Sequence, residues 1–349
     1  MRLIRRIQMI DLNKELQDLK YVAILGHIRP DGDCVGSCMG LYNYIISNYE
    51  GIKVDVYLNP IPSCFAILNN SKKIINYIGF DLNEDINEFP KCIQGSYVRK
   101  EPYDLVFALD CSDARRLGPA YSVFKNAKRT ICIDHHMNSE GFADTDYIVP
   151  DYSSTCELIY NILDFDKINK DVAECLYTGI VTDTGVFQYD CCKAHTMTAA
   201  GNLMEKGIDY SFLIEHTFYE KSFKQQKILG KALLKAERVY DDKIIYSYMD
   251  KDEMEEIDAS PKDFEGVCEK LRETKGVSTS FFMYRQPDGK IKGSLRGTDD
   301  NVDLSRVANN INGGGHKKAA GFGLSDISME EATRIVIEEL IKEYEIGNN

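Results

Sequence analysis

The sequence has no CxxC pair, no long apolar run and a deficit of positive charge, and each absence removes a class of function. Its 11 cysteines are odd in number, and without CxxC spacing they do not read as a zinc-finger set. Several, such as Cys132 and Cys175, fall inside apolar stretches. They read as buried reduced thiols of a cytoplasmic protein, neither nucleophiles nor a disulfide framework. Nothing approaches the ~20 consecutive apolar residues of a membrane span. Arg2, Arg5 and Arg6 are followed by no long apolar segment, so neither a signal peptide nor a membrane partner is expected. A formal net charge of -13 is opposite to what a protein gripping duplex nucleic acid by surface electrostatics carries. An acidic protein that handles phosphate must offset its own charge locally, most simply with metal ions. There is no internal repeat and no low-complexity tract.

What is present is a chain of 349 residues with ordinary globular composition, long enough for two domains. Tyr21 to Leu25 reads as a strand, followed by a polar loop and a helix over Cys34 to Ser47. Ile52 to Leu58 is a second strand, residues 61–80 are expected to be helical after Pro62, and residues 82–102 are polar and irregular. Tyr103 to Leu109 and Ile131 to Ile133 are further strands. Ser153 to Leu163, with a Ser-Ser-Thr start and Glu157 suited to a helix N-terminus, and Val172 to Val181 are helical. Strands alternating with helices predict an α/β fold with a doubly wound parallel sheet. The long charged helical pattern over 206–238 reads as a connection. Beyond it, Ile244 to Met249 is a strand, Val277 to Tyr284 and Lys290 to Leu295 flank a Gln-Pro-Asp-Gly turn as a hairpin, residues 303–311 are a helix broken by Asn312 to His316, and Glu330 to Tyr344 is a closing amphipathic helix. The expected domains are 15–205 and a smaller α/β unit at 239–346, joined by the helical linker 206–238.

The strand Ile131 to Ile133 ends in Asp134-His135-His136, at the carboxyl end of a sheet strand, where open α/β proteins bind ligands. Two adjacent imidazoles point in different directions, so one is suited to a metal and the other to substrate. Taken alone, a solvated strand-end turn accounts for this motif equally well. The other polar residues at predicted strand and helix ends are His27, Asp31, Asp33, Asp110 and Asp183. Asp31-Gly32-Asp33 alone could be a turn. Asp183 at a helix C-terminus is an unfavourable place for a carboxylate, which suggests a cation there. Together, two or three imidazoles and four carboxylates form a ligand set for a pair of divalent ions, and without metal such carboxylates would repel one another. Two metals about 3.5–4 Å apart can activate a water and clamp a phosphoryl oxygen. His195 and His216 lie in ordinary helical stretches and are expected to have surface or packing roles. Gly313-Gly314-Gly315-His316 is either a flexible loop or a set of exposed N–H groups that cradles an anion.

These residues, in this order, resemble the DHH phosphoesterase family. Its motifs appear as His27-Ile28-Arg29-Pro30-Asp31-Gly32-Asp33, as Asp110 within Leu109-Asp110-Cys111-Ser112-Asp113, as Asp134-His135-His136, and as Asp183 within Gly179 to Gly185. Ser294-Leu295-Arg296 and Gly313 to Phe322 resemble the DHH-associated substrate domain. The two-domain layout is similar to the bifunctional oligoribonuclease and pAp phosphatase (nano-RNase) type. The resemblance implies a Mn²⁺-dependent phosphoesterase acting on short RNA oligomers, linear dinucleotides such as pApA and pGpG, and pAp, with Mg²⁺ or Co²⁺ as substitutes. By it, His27 and Asp31 bind one Mn²⁺, and Asp33, His135 and Asp183 bind the other. Asp110 bridges both, His136 faces the substrate phosphate, and Asp134 orients His135 through its other ring nitrogen. Arg115 or, in preference, Arg116 is expected at a phosphate oxygen. Arg296, Gly313, Gly314, Gly315 and His316 are expected to hold a terminal phosphate, with substrate between the two domains.

The rival readings are a manganese inorganic pyrophosphatase, a cyclic dinucleotide phosphodiesterase, a longer single-strand exonuclease of RecJ type, and a non-catalytic nucleotide sensor. The Gly-Gly-Gly-His segment argues against the first, the length against the third, and the complete set of expected ligands against the last. A cytoplasmic location is expected, and a homodimer is compatible with this layout.

Overall fold

The computed structural model describes residues 9–77 and 98–347. Arg2, Arg5 and Arg6, and most of the polar stretch 82–102, lie outside the described residues. The chain forms two compact units, Met1–Glu220 and Lys221–Asn349. Among the described residues no helix is long and apolar enough to cross a membrane, and the ten described cysteines are free thiols.

The first unit is built on a six-stranded sheet. Its strands are β1 (Tyr21–Leu25), β2 (Lys53–Leu58), β3 (Ile75–Asn76), β4 (Leu105–Leu109), β5 (Thr130–Asp134) and β6 (Thr145–Ile148), in the order β3-β2-β1-β4-β5-β6. All neighbours are parallel, as the alternating pattern predicts. β4 and β5 are buried at every position, which is why they read as unbroken apolar runs. Each such Val, Leu, Ile or Phe contributes about 1.5–3 kcal/mol relative to exposure. From β1 the chain works outward through β2 to β3, and from β4 outward through β5 to β6. The carboxyl ends of β1 and β4 are therefore the switch point, where a doubly wound sheet opens a crevice.

Helices cover the sheet: α1 (Leu12–Glu15), α2 (Gly32–Asn48), α3 (Tyr121–Lys125), α4 (Thr155–Ile162), α5 (Lys170–Asp183), α6 (Ala194–Met204) and α7 (Tyr210–Ile214). α2 and α5 approach closely because glycines line their contact. A Cβ at Gly36 would lie 2.5 Å from the Cys175 carbonyl oxygen and 2.9 Å from Cys156 Sγ. Gly36→Ala is therefore expected to destabilise the unit by about 1–3 kcal/mol, the usual cost of overpacking, seen as a lower midpoint in urea or thermal unfolding. An unchanged midpoint would mean that the two helices separate freely.

The expected helix over 61–80 is not formed. Among the described residues of that span, short 3₁₀ turns at Ser63–Ile67 and Ser71–Lys73 lead into β3. Asn70 between them is left-handed, with φ +62°, which no continuous helix accommodates.

The region 206–238 is several pieces, not one helix. α7 is followed by a π turn at Glu215–Tyr219, then α8 (Phe223–Leu234), and the division between units falls after Glu220. The second unit has a mixed sheet of β7 (Glu237–Val239), β8 (Ile244–Met249), β9 (Thr279–Arg285), β10 (Ile291–Gly297), β11 (Gly314–His316) and β12 (Ala319–Leu324), ordered β11-β12-β10-β9-β8-β7. Its helices are α8, α9 (Lys251–Glu256), α10 (Val267–Arg272), α11 (Leu304–Asn310) and α12 (Met329–Gly347). The β9–β10 hairpin is antiparallel as expected. α12 buries Met329, Ala332, Val336, Leu340 and Tyr344 on one stripe, the spacing of an amphipathic helix.

The glycine segment is partly structured as well. Gly314 to His316 pair with β12 as an edge strand, and Gly313 N–H donates to the Ala308 carbonyl at 2.8 Å. A Cβ at Gly313 would sit 2.1 Å from the Gly321 carbonyl oxygen, and Gly315 has φ +148°. Close strand approach thus explains two of the three glycines, and the Gly313 N–H is not available to an anion.

Candidate metal centre

His27 follows β1 and is almost fully buried, its Nδ1 2.8 Å from the Ile28 carbonyl oxygen. The loop then places Asp31 as the N-terminal cap of α2, accepting the Cys34 N–H at 3.1 Å. Asp33, in the first turn of α2, is wholly buried. It accepts two backbone N–H groups at the start of α4, from Thr155 at 2.6 Å and Cys156 at 2.8 Å. A buried carboxylate is thus met by the positive end of a helix.

Asp110 leaves β4 with φ +56°, a conformation that short polar residues tolerate and that functional sites tend to hold. Its carboxylate lies 3.3 Å from His27 Nε2, 3.6 Å from His136 Nδ1 and 3.8 Å from His135 Nε2. It also accepts the Thr155 hydroxyl at 3.2 Å. His135 Nε2 lies 3.2 Å from Asp183 and 3.8 Å from Asp33, and Asp183 is the last residue of α5.

The residues singled out from the sequence therefore converge. Among the described residues three overlapping groups of donor atoms emerge, His27 with Cys34 and Asp110, Asp110 with His135 and His136, and Asp33 with His135 and Asp183; within each group the atoms lie within 4.8 Å of one another. Asp31 joins the first set, 3.6 Å from His27 Nε2.

One expected role is reassigned. Asp134 does not orient His135. Its Oδ1 accepts a hydrogen bond from His136 Nδ1 at 2.7 Å, while His135 Nδ1 lies 3.3 Å from the Tyr152 carbonyl oxygen. The strand ends at Asp134, and the turn that follows brings the ring of residue 136 back toward it. Asp134 thus orients the imidazole that was expected to face substrate.

The electrostatics are those of an acidic cluster that is only partly compensated: burial opposes the charge on Asp31 and Asp110, but the hydrogen bond and charge of His27 outweigh it and lower both. Burial, then the neighbouring Asp110, pushes Asp33 well above the ordinary carboxylate value. Burial, then Asp33 and Asp110, does the same to Asp183. The hydrogen bond that His136 donates to Asp134 raises the His136 value despite its burial. For His27, burial opposes the charged ring, but Cys34, Asp110 and Asp31 outweigh it and raise the value. Carboxylates in this state fit a site built for cations, and the mixture of imidazole nitrogen and carboxylate oxygen suits divalent transition metals. Asp134 Oδ2 is also buried without a hydrogen-bond partner.

Arg115 and Arg116 are told apart. Arg115 is 82% exposed and bonded to Asp113. Arg116 is half-buried, its Nε is buried with no hydrogen-bond partner, and its charge acts on Asp31 and His136. In the second unit Arg296 Nε donates to Glu269 at 2.7 Å and Nη1 to the Leu295 carbonyl at 2.9 Å, and His316 is exposed. His216 packs on Phe212 with ring centroids 3.9 Å apart, a packing role as expected.

Sequence reasoning missed Thr155, Cys156 and Tyr152, which hold Asp33, Asp110 and His135 in place, and Cys34, whose sulfur groups with the His27 and Asp110 donors. The Ser-Ser-Thr run was a visible signal for a helix start. Ser154 is the cap, accepting the Glu157 N–H, but nothing local indicated that the next two N–H groups serve a carboxylate 122 and 123 residues away.

Comparison with known proteins agrees with this geometry. Residues 21–180 match the model of the DHH family, N-terminal domain, and residues 241–343 that of the DHHA1 domain. The bifunctional oligoribonuclease and PAP phosphatase NrnA of Thermus thermophilus is 23% identical over 92% of this chain and 90% of its own. The cyclic-di-AMP phosphodiesterase PdeA of Listeria monocytogenes is 25% identical over 96% of this chain and 50% of its own. The crystal structure of an exopolyphosphatase-related protein from Bacteroides fragilis superposes with a TM-score of 0.83 at 28% identity, covering 97% of this chain and 96% of the other. With both domain matches in sequence and the acidic and imidazole side chains gathered at the switch point of a parallel sheet, the chain belongs to the DHH family of phosphoesterases, metal-dependent enzymes that hydrolyse phosphoester bonds.

Proposed function

We propose that this enzyme is a Mn²⁺-dependent hydrolase of short oligoribonucleotides, of linear dinucleotides such as pApA and pGpG, and of pAp, working in the cytoplasm. The observation that carries the reading is the pairing of two donor sets around Asp110, with His27 and Asp31 on one side and Asp33, His135 and Asp183 on the other. The NrnA relative supports the substrate class.

His27, Asp31 and Asp110 hold one ion, and Asp33, His135, Asp183 and Asp110 the other. Bound there, the ions supply an activated water and stabilise charge on the phosphoryl oxygens. The protein does the rest. Thr155 and Cys156 N–H groups fix Asp33, and the Tyr152 carbonyl fixes the tautomer of His135, leaving Nε2 as its donor atom. His136, held by Asp134, presents its remaining ring edge to a phosphoryl oxygen. Arg116 supplies a guanidinium whose Nε is unpaired, suited to the same group. In the second unit, Arg296, His316 and the edge strand carrying Gly314 and Gly315 bind a further phosphate of the nucleotide.

Elemental analysis after dialysis against Mn²⁺ is expected to find about two ions per chain, as the two-metal arrangement requires. One tightly held zinc with full activity would overturn that arrangement. For the substrate, rates on pAp, pApA, pGpG, cyclic di-AMP and a 24-mer are compared with the Mn²⁺ enzyme. Turnover of the linear dinucleotides and pAp well above that of the 24-mer is expected, because an acidic surface gives a long strand no electrostatic track. The PdeA relative favours one second reading, hydrolysis of cyclic dinucleotides. Cyclic di-AMP cleaved faster than pApA would establish it in place of the first.

A further inference from the structure

Glu157 is a wholly buried carboxylate that none of the proposed chemistry uses. It sits in the first turn of α4 and collects four donors. Ser153 gives its N–H at 3.1 Å and its hydroxyl at 2.7 Å, Thr196 its hydroxyl at 3.0 Å, and His195 its Nδ1–H at 2.6 Å. His195 opens α6 and is 42% exposed on its side chain. Its ring packs on Tyr152 with centroids 4.8 Å apart.

The segment 152–157 between these contacts also sets the metal ligands. The Tyr152 carbonyl oxygen faces His135 Nδ1, and the Thr155 and Cys156 N–H groups donate to Asp33. Thr155 reaches Asp110 as well. A single six-residue stretch therefore aligns His135 by its carbonyl and Asp33 by its amides, and the interaction with α6 that pins it down is Glu157 with His195 and Thr196.

We infer that His195 and Glu157 form a brace that positions the Asp33–His135–Asp183 ligand set, making His195 a positioning residue for one of the two metal ions. This rests on the two-metal reading above. The sequence suggests a packing or surface role for His195, which lies in an ordinary helical stretch; its partners Glu157 and Tyr152 lie 38 and 43 positions away. Without the imidazole, Glu157 loses one of its four donors and a buried carboxylate is left under-satisfied, a situation that structures relieve by local rearrangement. The Tyr152 ring loses its neighbour at the same time. Both effects fall on the stretch that orients Asp33 and His135, and neither reaches His27 directly. Outer groups that orient metal ligands typically set affinity by 10–100-fold.

The test is a titration of the full chain with Mn²⁺, reading free ion by electron paramagnetic resonance. His195→Ala is expected to weaken one of the two ions about 10-fold or more and leave the other within about twofold. His195→Asn, whose side-chain N–H can replace Nδ1–H toward Glu157, is expected to recover most of the loss. In an Asp183→Asn background, where the second set is already broken, adding His195→Ala is expected to leave the remaining ion unchanged. His216→Ala, outside both sets, serves as the control and is expected to match the wild type.

If both ions weaken equally, or only the melting temperature falls while both affinities hold, His195 is a structural residue and the brace is overturned with the two-metal reading intact. A wild-type chain that binds no Mn²⁺ overturns both.

Discussion

Asp110→Ala is expected to lower kcat by at least about 1,000-fold, roughly 4 kcal/mol of transition-state stabilisation, while the protein stays folded. Among the described residues Asp110 is the one carboxylate that approaches His27, His135 and His136 together, at 3.3, 3.8 and 3.6 Å. In the proposed two-metal arrangement, removing it takes a ligand from both ions at once, where loss of Asp31 or Asp183 takes one from a single ion. Folding should survive because the site is acidic in excess. Asp33 and Asp183 are both raised by burial and by the proximity of Asp110, so deleting its charge relieves repulsion inside the protein. Asp110→Asn is the cleaner companion, since asparagine tolerates the left-handed backbone that Asp110 adopts at φ +56°. Steady-state rates, bound Mn²⁺ and the thermal midpoint are measured on both variants. Wild-type turnover by Asp110→Ala would mean that the donor sets are not the catalytic centre.

The parts of this site that could be read from the sequence are the parts set by strand ends. β1, β4 and β5 are short apolar runs, each followed at once by its polar residues, and a parallel sheet must bring such ends to one edge. That His27, Asp110 and His135 lie together is therefore legible from the sequence. Two side chains one residue apart at a strand end are harder. Whether Asp134 serves His135 or His136 depends on a turn whose torsions the sequence does not specify, and the structure gives it to His136. Long-range hydrogen bonds were beyond reach for a different reason. Glu157 fits a helix start on local grounds, and it does occupy the first turn of α4, yet its side chain turns to His195 and Thr196 on another helix. The expected helix over 61–80 failed on one left-handed residue, Asn70, and β6 escaped notice because half of its four positions are exposed, which leaves no apolar run to see. Gly313 and Gly315 answer to a constraint the local sequence does not show, since the backbone of β12 occupies the space that side chains there would take.

Two arginines should respond differently to the size of the substrate. Arg116 belongs to the first unit, and its charge acts on Asp31 and His136, so its proposed target is the phosphoryl group being cleaved. Arg116→Ala is expected to reduce kcat about 100-fold, the scale of one lost donor to a developing oxyanion, on pApA and on bis-p-nitrophenyl phosphate alike. Arg296 belongs to the second unit and is oriented by Glu269 and the Leu295 carbonyl; its proposed target is a further phosphate, which the small ester lacks. Arg296→Ala is expected to lower kcat/KM on pApA by at least ~10-fold, the scale of one charge-assisted hydrogen bond. Part of that loss should fall on kcat, since binding energy away from the reacting phosphate is used to orient it. On bis-p-nitrophenyl phosphate the same variant should be close to wild type. The Glu269 carboxylate left behind is 35% exposed and can be solvated, so little loss of stability should confuse the comparison. Equal losses on both substrates would make Arg296 a support for the fold and remove the second unit from substrate recognition. An Arg116→Ala enzyme impaired on pApA alone would move that residue away from the scissile phosphate.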